Sequence, residues 1–260
     1  EEARVVRDAD GKPIEVNGYW TDVTQRKRLE EELRKSQRLA TIGELAATVG
    51  HDLRNPLSAI IGTTYYLRKK FGSSMGKEGK KLLRLIDQSV EQSDKIISDL
   101  LEYSREIQLE LTRTDVKSLT RDALALVKIP RRIRVVDSTK REPKIEVDVN
   151  KMRRVFVNLI TNAVDAMPKG GTLTIASRRS GDNVQVAFTD TGVGMSAEVV
   201  QKIWNPLFTT KSKGIGLGLS VVKRVVEGHR GTIRAESPGE GKGATFMFTL
   251  PRRRSSDSAT

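Results

Sequence analysis

Between Gln25 and about Phe71, apolar residues recur at coiled-coil spacing, at Leu29, Leu33, Leu39, Ile42, Leu45 and Val49, with charged residues between them. The spacing predicts one long helix, and a lone helix of that length needs a partner for its apolar stripe. Gly72-Ser73-Ser74, with Gly76 and Gly79, interrupts the pattern, and a second helix is predicted through Leu82, Leu85, Ile86, Val90, Ile96, Ile97, Leu100 and Leu101. One hairpin of this kind buries too little surface to stand alone. Two related by a two-fold axis make an antiparallel four-helix bundle, so a homodimer is expected through residues of about 26–110. A coiled-coil spacer is the plainer alternative. Pro56 argues against it, because it removes the donor that would bond the carbonyl of Asp52 and is expected to bend the helix.

The first helix also carries the most informative side chain. With residues placed at about 100° intervals, Ile42, Leu45, Ala46, Val49, Leu53, Pro56, Leu57 and Ile60 fall in one stripe, and His51 lies roughly 180° from its centre. Its imidazole is therefore expected to face solvent. Asp52 flanks it and Asn55 follows one turn later, so a weak nucleophile has a carboxylate and an amide within reach. A solvated surface histidine fits the same position.

Downstream of residue 111 the period changes. A helix is predicted near Asp115 to Leu126, strands near Ile133 to Val136 and Lys144 to Val147, and a helix from Asn150 to Met167. Strands at Gly171 to Arg178 and Asn183 to Thr189 follow, then a helix from Leu217 to Glu227. A closing hairpin is expected at Gly231 to Glu236 and Gly243 to Leu250. The fold class is thus α+β and multidomain. Ahead of the long helix, Ala3 to Arg7 and Ile14 to Val23 read as two strands around Asp8-Ala9-Asp10-Gly11-Lys12-Pro13, too few for a domain. The expected division is 1–24, 25–110, 111–251, and a polar tail at 252–260.

Composition narrows the chemistry. The chain lacks cysteine, which excludes thiolate nucleophiles, thiolate metal sites and disulfide frameworks. It has no run of 18 apolar residues and no signal sequence at its first residues, so a soluble, cytoplasmic chain is expected, with any membrane attachment made through a missing N-terminal part. The net charge of +13 invites anionic partners, but Lys69-Lys70, Lys80-Lys81, Arg131-Arg132 and Arg252-Arg253-Arg254 are short and far apart, and no nucleic-acid partner is expected.

Three further constellations follow in order along the chain. On the helix from 150 to 167, Val155, Phe156, Leu159, Ile160, Ala163 and Met167 form the apolar arc, and Asn158, Asn162 and Asp165 share a neighbouring stripe. Asparagine is a poor helix former, so a pair one turn apart suggests oxygen ligands for a hard cation bridging phosphates, or else amides satisfied within a core. Asp190-Thr191-Gly192-Val193-Gly194 places a carboxylate at a strand end before a tight turn, where Asp190 can accept from an amino group. Gly214, Gly216 and Gly218 alternate directly before a helix, an arrangement that brings backbone N–H groups to phosphate or simply makes a flexible loop.

With these residues in view, the chain resembles the sensor histidine kinase family of two-component systems over residues of about 26–250. His51-Asp52-Leu53-Arg54-Asn55-Pro56 resembles its H box, and Asn158 to Asn162 its N box. Asp190 to Gly194 resembles the G1 box, Pro206 to Phe208 the F box and Gly214 to Gly218 the G2 box. Gly239 to Phe246 is similar to a smaller last glycine box. The resemblance implies a dimeric helical domain bearing the phosphoacceptor, followed by a Bergerat-type α/β sandwich that binds ATP. It implies that His51 attacks the γ-phosphorus with Asp52 taking the ring proton, and that Asn162 coordinates Mg²⁺ with Asn158 and Asp165 nearby. It further implies that Asp190 accepts from adenine, that Gly192 and Gly194 shape that turn, and that Gly214, Gly216, Gly218 and Lys211 face the phosphates. The partner implied is a response regulator receiver domain, phosphorylated on aspartate, with Asn55 matching the position that orients water for its dephosphorylation. Gly18 to Thr24 resembles the last strand of a PAS sensor domain, with Asp22 and Thr24 matching its ending. Asn162-Ala163-Val164-Asp165-Ala166 and Phe208-Thr209-Thr210-Lys211 resemble the nitrogen-regulation subgroup. His229, at a helix end, is read as a capping or packing residue. Two alternatives stay open, another ATPase of the Bergerat fold and a non-catalytic dimer module.

Overall fold

The computed structural model describes residues 2–19, 21–104, 107–211, 214 and 216–252, with residues 2–4, 16–19, 28–51, 95, 99 and 102–104 described as backbone alone. A hairpin of β1 (Glu2–Arg7) and β2 (Pro13–Tyr19) leads into α1 (Thr24–Phe71), which packs against α2 (Lys77–Ser104). The second strand stops at Tyr19, short of the predicted Val23. At the entry to α1 the Asp22 carboxylate accepts from the Thr24 backbone N–H at 2.8 Å, a local turn ahead of the helix.

In α2, Leu83, Val90 and Ile97 are buried at intervals of seven, with Leu101 one turn further, and Leu57 of α1 packs on the Ile97 and Leu101 pair. Leu83 is buried although the apolar spacing predicts its neighbour Leu82 as the anchor. Leu82, Leu85 and Ile86, all predicted as anchors, lie exposed together with Leu53, Ile60 and Ile61 of α1. The hairpin thus has two apolar faces, one closed by its own two helices and one left open in the single chain. Polar clasps tie the helices together. Arg54 donates to Asp94 at 2.9 Å and to Ser98 at 2.7 Å, and Arg68 pairs with Asp87. The helix α1 runs through Pro56 as one element.

The remaining elements are β3 (Thr112–Thr114), α3 (Val116–Leu126), β4 (Ile133–Ser138), β5 (Ile145–Val147), α4 (Val149–Ala166), β6 (Gly171–Ser180) and β7 (Asn183–Asp190). After them come α5 (Ala197–Lys202), α6 (Gly218–Gly228), β8 (Thr232–Glu236) and β9 (Ala244–Pro251). They build an α/β layer pair around a five-stranded sheet of order β4-β6-β7-β9-β8, parallel only between β4 and β6, with β3 and β5 paired apart from it. Residues of β7 and β9 alternate strictly between buried and accessible, as a sheet covered on one face requires. Helices α3, α4 and α6 supply the cover, and Phe156, Phe188 and Phe248 meet at its centre with ring centroids 5.2 to 6.2 Å apart. Truncating Phe156 to alanine would cost about 3–5 kcal/mol. Leu100 of α2 touches both this core and the hairpin's small one, and Gly228 lies against Ile107, so α2 and the chain after it rest on the α6 end of the layer.

Candidate active site

Helix α4 turns its Met152, Val155, Phe156, Leu159, Ile160 and Ala163 face into the core. This leaves Asn158, Asn162 and Asp165 in a row along the neighbouring edge, where they line a cleft of ≈ 390 Å³. The start of the row is fixed by Asp148, whose carboxylate caps α4 through the Lys151 N–H at 3.0 Å. The amide nitrogen of Asn158 is buried without a hydrogen-bond partner in the protein, which leaves it a donor for a ligand or a water. Asn162 Oδ1 and Asp165 Oδ2 each accept from Lys211 Nζ at 2.8 Å. A cation already stands where those oxygens converge, so hard cationic ligands fit the row. Among the described residues no group of three or more histidines, aspartates and glutamates forms a metal cage, so a divalent ion here would complete its shell with phosphate and water oxygens.

At the other end of the cleft, Asp190 closes β7 and is 4 % exposed. Burial pushes its carboxyl above the usual carboxylate range, against the pull of backbone hydrogen bonds from Gly192, at 2.8 Å, and Ala244. A buried carboxylate held this way gains most from one more donor. The turn after it is held by the last glycine box. Gly243 N–H donates to Gly192 O at 3.0 Å, and Ser237 Oγ accepts from Met195 N–H at 2.9 Å while donating to Gly243 O at 2.7 Å. Gly194 has φ +65°, and a Cβ there would lie 2.2 Å from Gly239 O.

The three glycines of the second loop differ from one another. Gly216 has φ +76°, with Phe208 O only 2.2 Å from where a Cβ would be, so it needs glycine to pack against the Asn205 to Phe208 turn. That turn holds Leu207 at φ 64°, a conformation costing about 1–2 kcal/mol for a side chain of this kind. Gly214 is tighter, since a Cβ there would lie 3.3 Å from Thr209 Oγ1, whereas Gly218 has room and a Cβ there would meet nothing nearer than Asn158 Oδ1 at 3.9 Å. Gly218 opens α6 beside Asn158, and this helix has no side-chain cap, whereas α3, α4 and α5 are capped by Asp115, Asp148 and Ser196. Uncapped N–H groups next to an unpartnered amide suit an anion.

Sequence reading missed the apolar lining of the cleft, Met195, Ile203, Leu219 and Phe246, which carry only core-like periodicity. It also missed Ser237 and the approach of Gln92 and Ile96 from α2, for which no local signal exists. Asp52 and Asn55 are exposed on α1, while the imidazole of His51, residues 212–213, Ile215 and the tail at 253–260 lie outside the described residues. His229 is a packing residue, as expected. It is buried, its Nε2 accepts from Asp148 N–H at 2.9 Å, and Nδ1 donates to Val225 O at 2.7 Å.

Residues 147–254 match the family described as histidine kinase-, DNA gyrase B- and HSP90-like ATPase. Residues 41–108 match the His kinase A (phospho-acceptor) domain. The crystal structure of histidine kinase ThkA with response regulator protein TrrA aligns at a TM-score of 0.62 and 30% identity, over 96% of this chain and 74% of that one. The chain belongs to the sensor histidine kinases. Within this family it is 34% identical over 237 residues to sensor histidine kinase ZraS of Escherichia coli K12, covering 90% of the chain and 50% of that protein. It is also 34% identical over 243 residues to sporulation kinase E of Bacillus subtilis strain 168, covering 92% and 32%. The chain therefore spans half or less of these curated relatives. The phospho-acceptor match separates this sensor histidine kinase from other ATPases of the Bergerat fold, whose family description covers residues 147–254 alone.

Proposed function

We propose that this chain is the kinase part of a sensor that phosphorylates His51 from ATP and passes the phosphoryl group to an aspartate of a response regulator. The observation that carries the reading is one cleft in which Asn158, Asn162, Asp190 and the uncapped start of α6 converge, on a chain that also bears the helical hairpin of His51. Asp190 would accept from the adenine amino group, a pairing that rejects guanine because its oxygen would face the carboxylate. Asn158 and the N–H groups at Gly218 would hold phosphate oxygens. Asn162 would hold Mg²⁺, which, when bound, neutralises charge on the phosphates.

His51 supplies the nucleophile. A ring nitrogen's lone pair forms the bond to the γ-phosphorus as the bond to the ADP oxygen breaks, and Asp52 takes the proton from the other ring nitrogen. Because little covalent work falls to the protein, positioning carries the catalysis. Arg54, bound to Asp94 and Ser98, fixes α1 on α2 one turn after His51. Asn55, on the same turn, would orient water when the regulator is dephosphorylated. The open apolar face of Leu53, Ile60, Ile61, Leu82, Leu85 and Ile86 supports a homodimer through residues 25–110, with 111–251 as the ATP-binding domain. The β1 and β2 hairpin would be the end of a PAS-like sensor at 1–24, and the chain would act in the cytoplasm. No helix among the described residues is long and apolar enough to cross a membrane.

The test is a time course with Mg²⁺, γ-labelled ATP and a receiver domain. Label should appear on this chain first and then move to the receiver. Label that reaches the receiver without ever residing on the chain would overturn the reading.

A further inference from the structure

Lys211 is a predicted site residue whose side chain rests on two other predicted site residues. Its ammonium lies 2.8 Å from Asn162 Oδ1 and 2.8 Å from Asp165 Oδ2, and it reaches them from the loop after Phe208, not from α4 itself. Both partners of the ion pair keep nearly half of their side-chain surface exposed, 42% for Lys211 and 49% for Asp165, so the contact is exchangeable rather than locked. A Mg²⁺ ion takes oxygen ligands at about 2.0–2.1 Å. An ion bound to Asn162 Oδ1 would then lie within about 5 Å of an ammonium that bonds the same atom, and the two would repel while drawing on one oxygen.

We propose that Lys211 is a resident cation that holds the α4 oxygens in the nucleotide-free chain and yields Asn162 to the divalent ion when metal and nucleotide bind together. Lys211 thereby sets how strongly nucleotide binding depends on metal. When nucleotide arrives without metal, the ammonium stays on α4, beside the unpartnered Asn158 amide and the open start of α6, and offsets phosphate charge in the metal's stead. When metal arrives as well, the flexible four-carbon stem lets the ammonium leave. Removing the charge acts in one direction in both states, weakening metal-free binding and freeing the metal's ligand.

The inference rests on the nucleotide-binding reading, and its test separates the two. ADP binding to the full chain is measured by calorimetry in EDTA and in Mg²⁺, for the unmodified chain and for Lys211→Met, Lys211→Gln and Lys211→Arg. The readout is the ratio of Kd in EDTA to Kd in Mg²⁺. Loss of one partly exposed charge contact should raise this ratio about two- to fivefold in the Met and Gln variants, while Arg keeps it near the unmodified value. An unchanged ratio overturns the proposal. If both constants weaken equally, Lys211 is an ordinary phosphate ligand; if neither moves, it only tethers the loop. Failure of the unmodified chain to bind ADP in either buffer overturns the nucleotide reading itself.

Discussion

Asp190 and Gly216 show how single residues divide between fold and chemistry. Burial raises the Asp190 carboxyl, so its charge costs the folded chain stability, and Asp190→Asn removes that cost. The variant should melt no lower than the parent. Its amide would turn a donor toward the adenine amino group, so ATP affinity should fall about tenfold or more while discrimination against GTP collapses, as calorimetry with both nucleotides would show. The two glycines give the complementary contrast. Gly216→Ala meets Phe208 O and a left-handed backbone, and should lower both the melting temperature and ATP binding. Gly218→Ala has room, so it should not lower the melting temperature and should weaken ATP binding alone, because the added methyl intrudes only on the face that phosphate would approach. At this scale the sequence was legible where a residue type is costly without a function, as with the asparagine pair and Asp190. It was silent on Ser237 and on which of three alternating glycines the backbone needs, because both depend on chain segments distant in sequence.

Among the elements, α4 and α6 are joined by His229 through Asp148, whose carboxylate also caps α4 and accepts from Glu110 N–H at 3.2 Å. Burial holds the His229 imidazole below the ordinary histidine range, so the unfolded chain takes up that proton first. The stability this neutral ring contributes is complete above its unfolded value of 6.5 and is lost as pH falls below it, when two N–H groups would face each other across the Asp148 bond. A clash of that kind costs about 1–3 kcal/mol. Thermal melting from pH 7.5 downward should therefore fall more steeply for the parent than for His229→Gln, and parallel curves would contradict the assignment. The raised Asp190 carboxyl acts with opposite sign, losing stability as pH rises above 3.8, but it is common to both chains and cancels in the comparison. Helices and core strands were legible because their periods are long and strict. The short β3 and α5 were not, since three and six residues carry no period and form because β5 and the Ser196 cap are there to receive them.

For the whole molecule, the hairpin's open apolar face is where the proposed dimer can be tested. Leu85→Glu with Ile60→Glu leaves the buried Leu83, Val90 and Ile97 side untouched and places charge on the open one. The doubly substituted chain should keep its helix content and run as a monomer in sedimentation, where the parent runs as a dimer; two monomers of equal stability would remove the four-helix bundle from the account. The same expectation could be read from apolar spacing alone, but the spacing did not tell which residues face the chain's own partner helix and which are left open. The central claim, that the cleft of 111–251 feeds the hairpin of 25–110, is tested most directly by labelling with γ-labelled ATP and Mg²⁺, parent against His51→Gln, with α-labelled ATP as control. γ-Label should appear on the parent in an acid-labile and alkali-stable form, with none on the variant and none from the α-label. Equal γ-label on His51→Gln would contradict that claim.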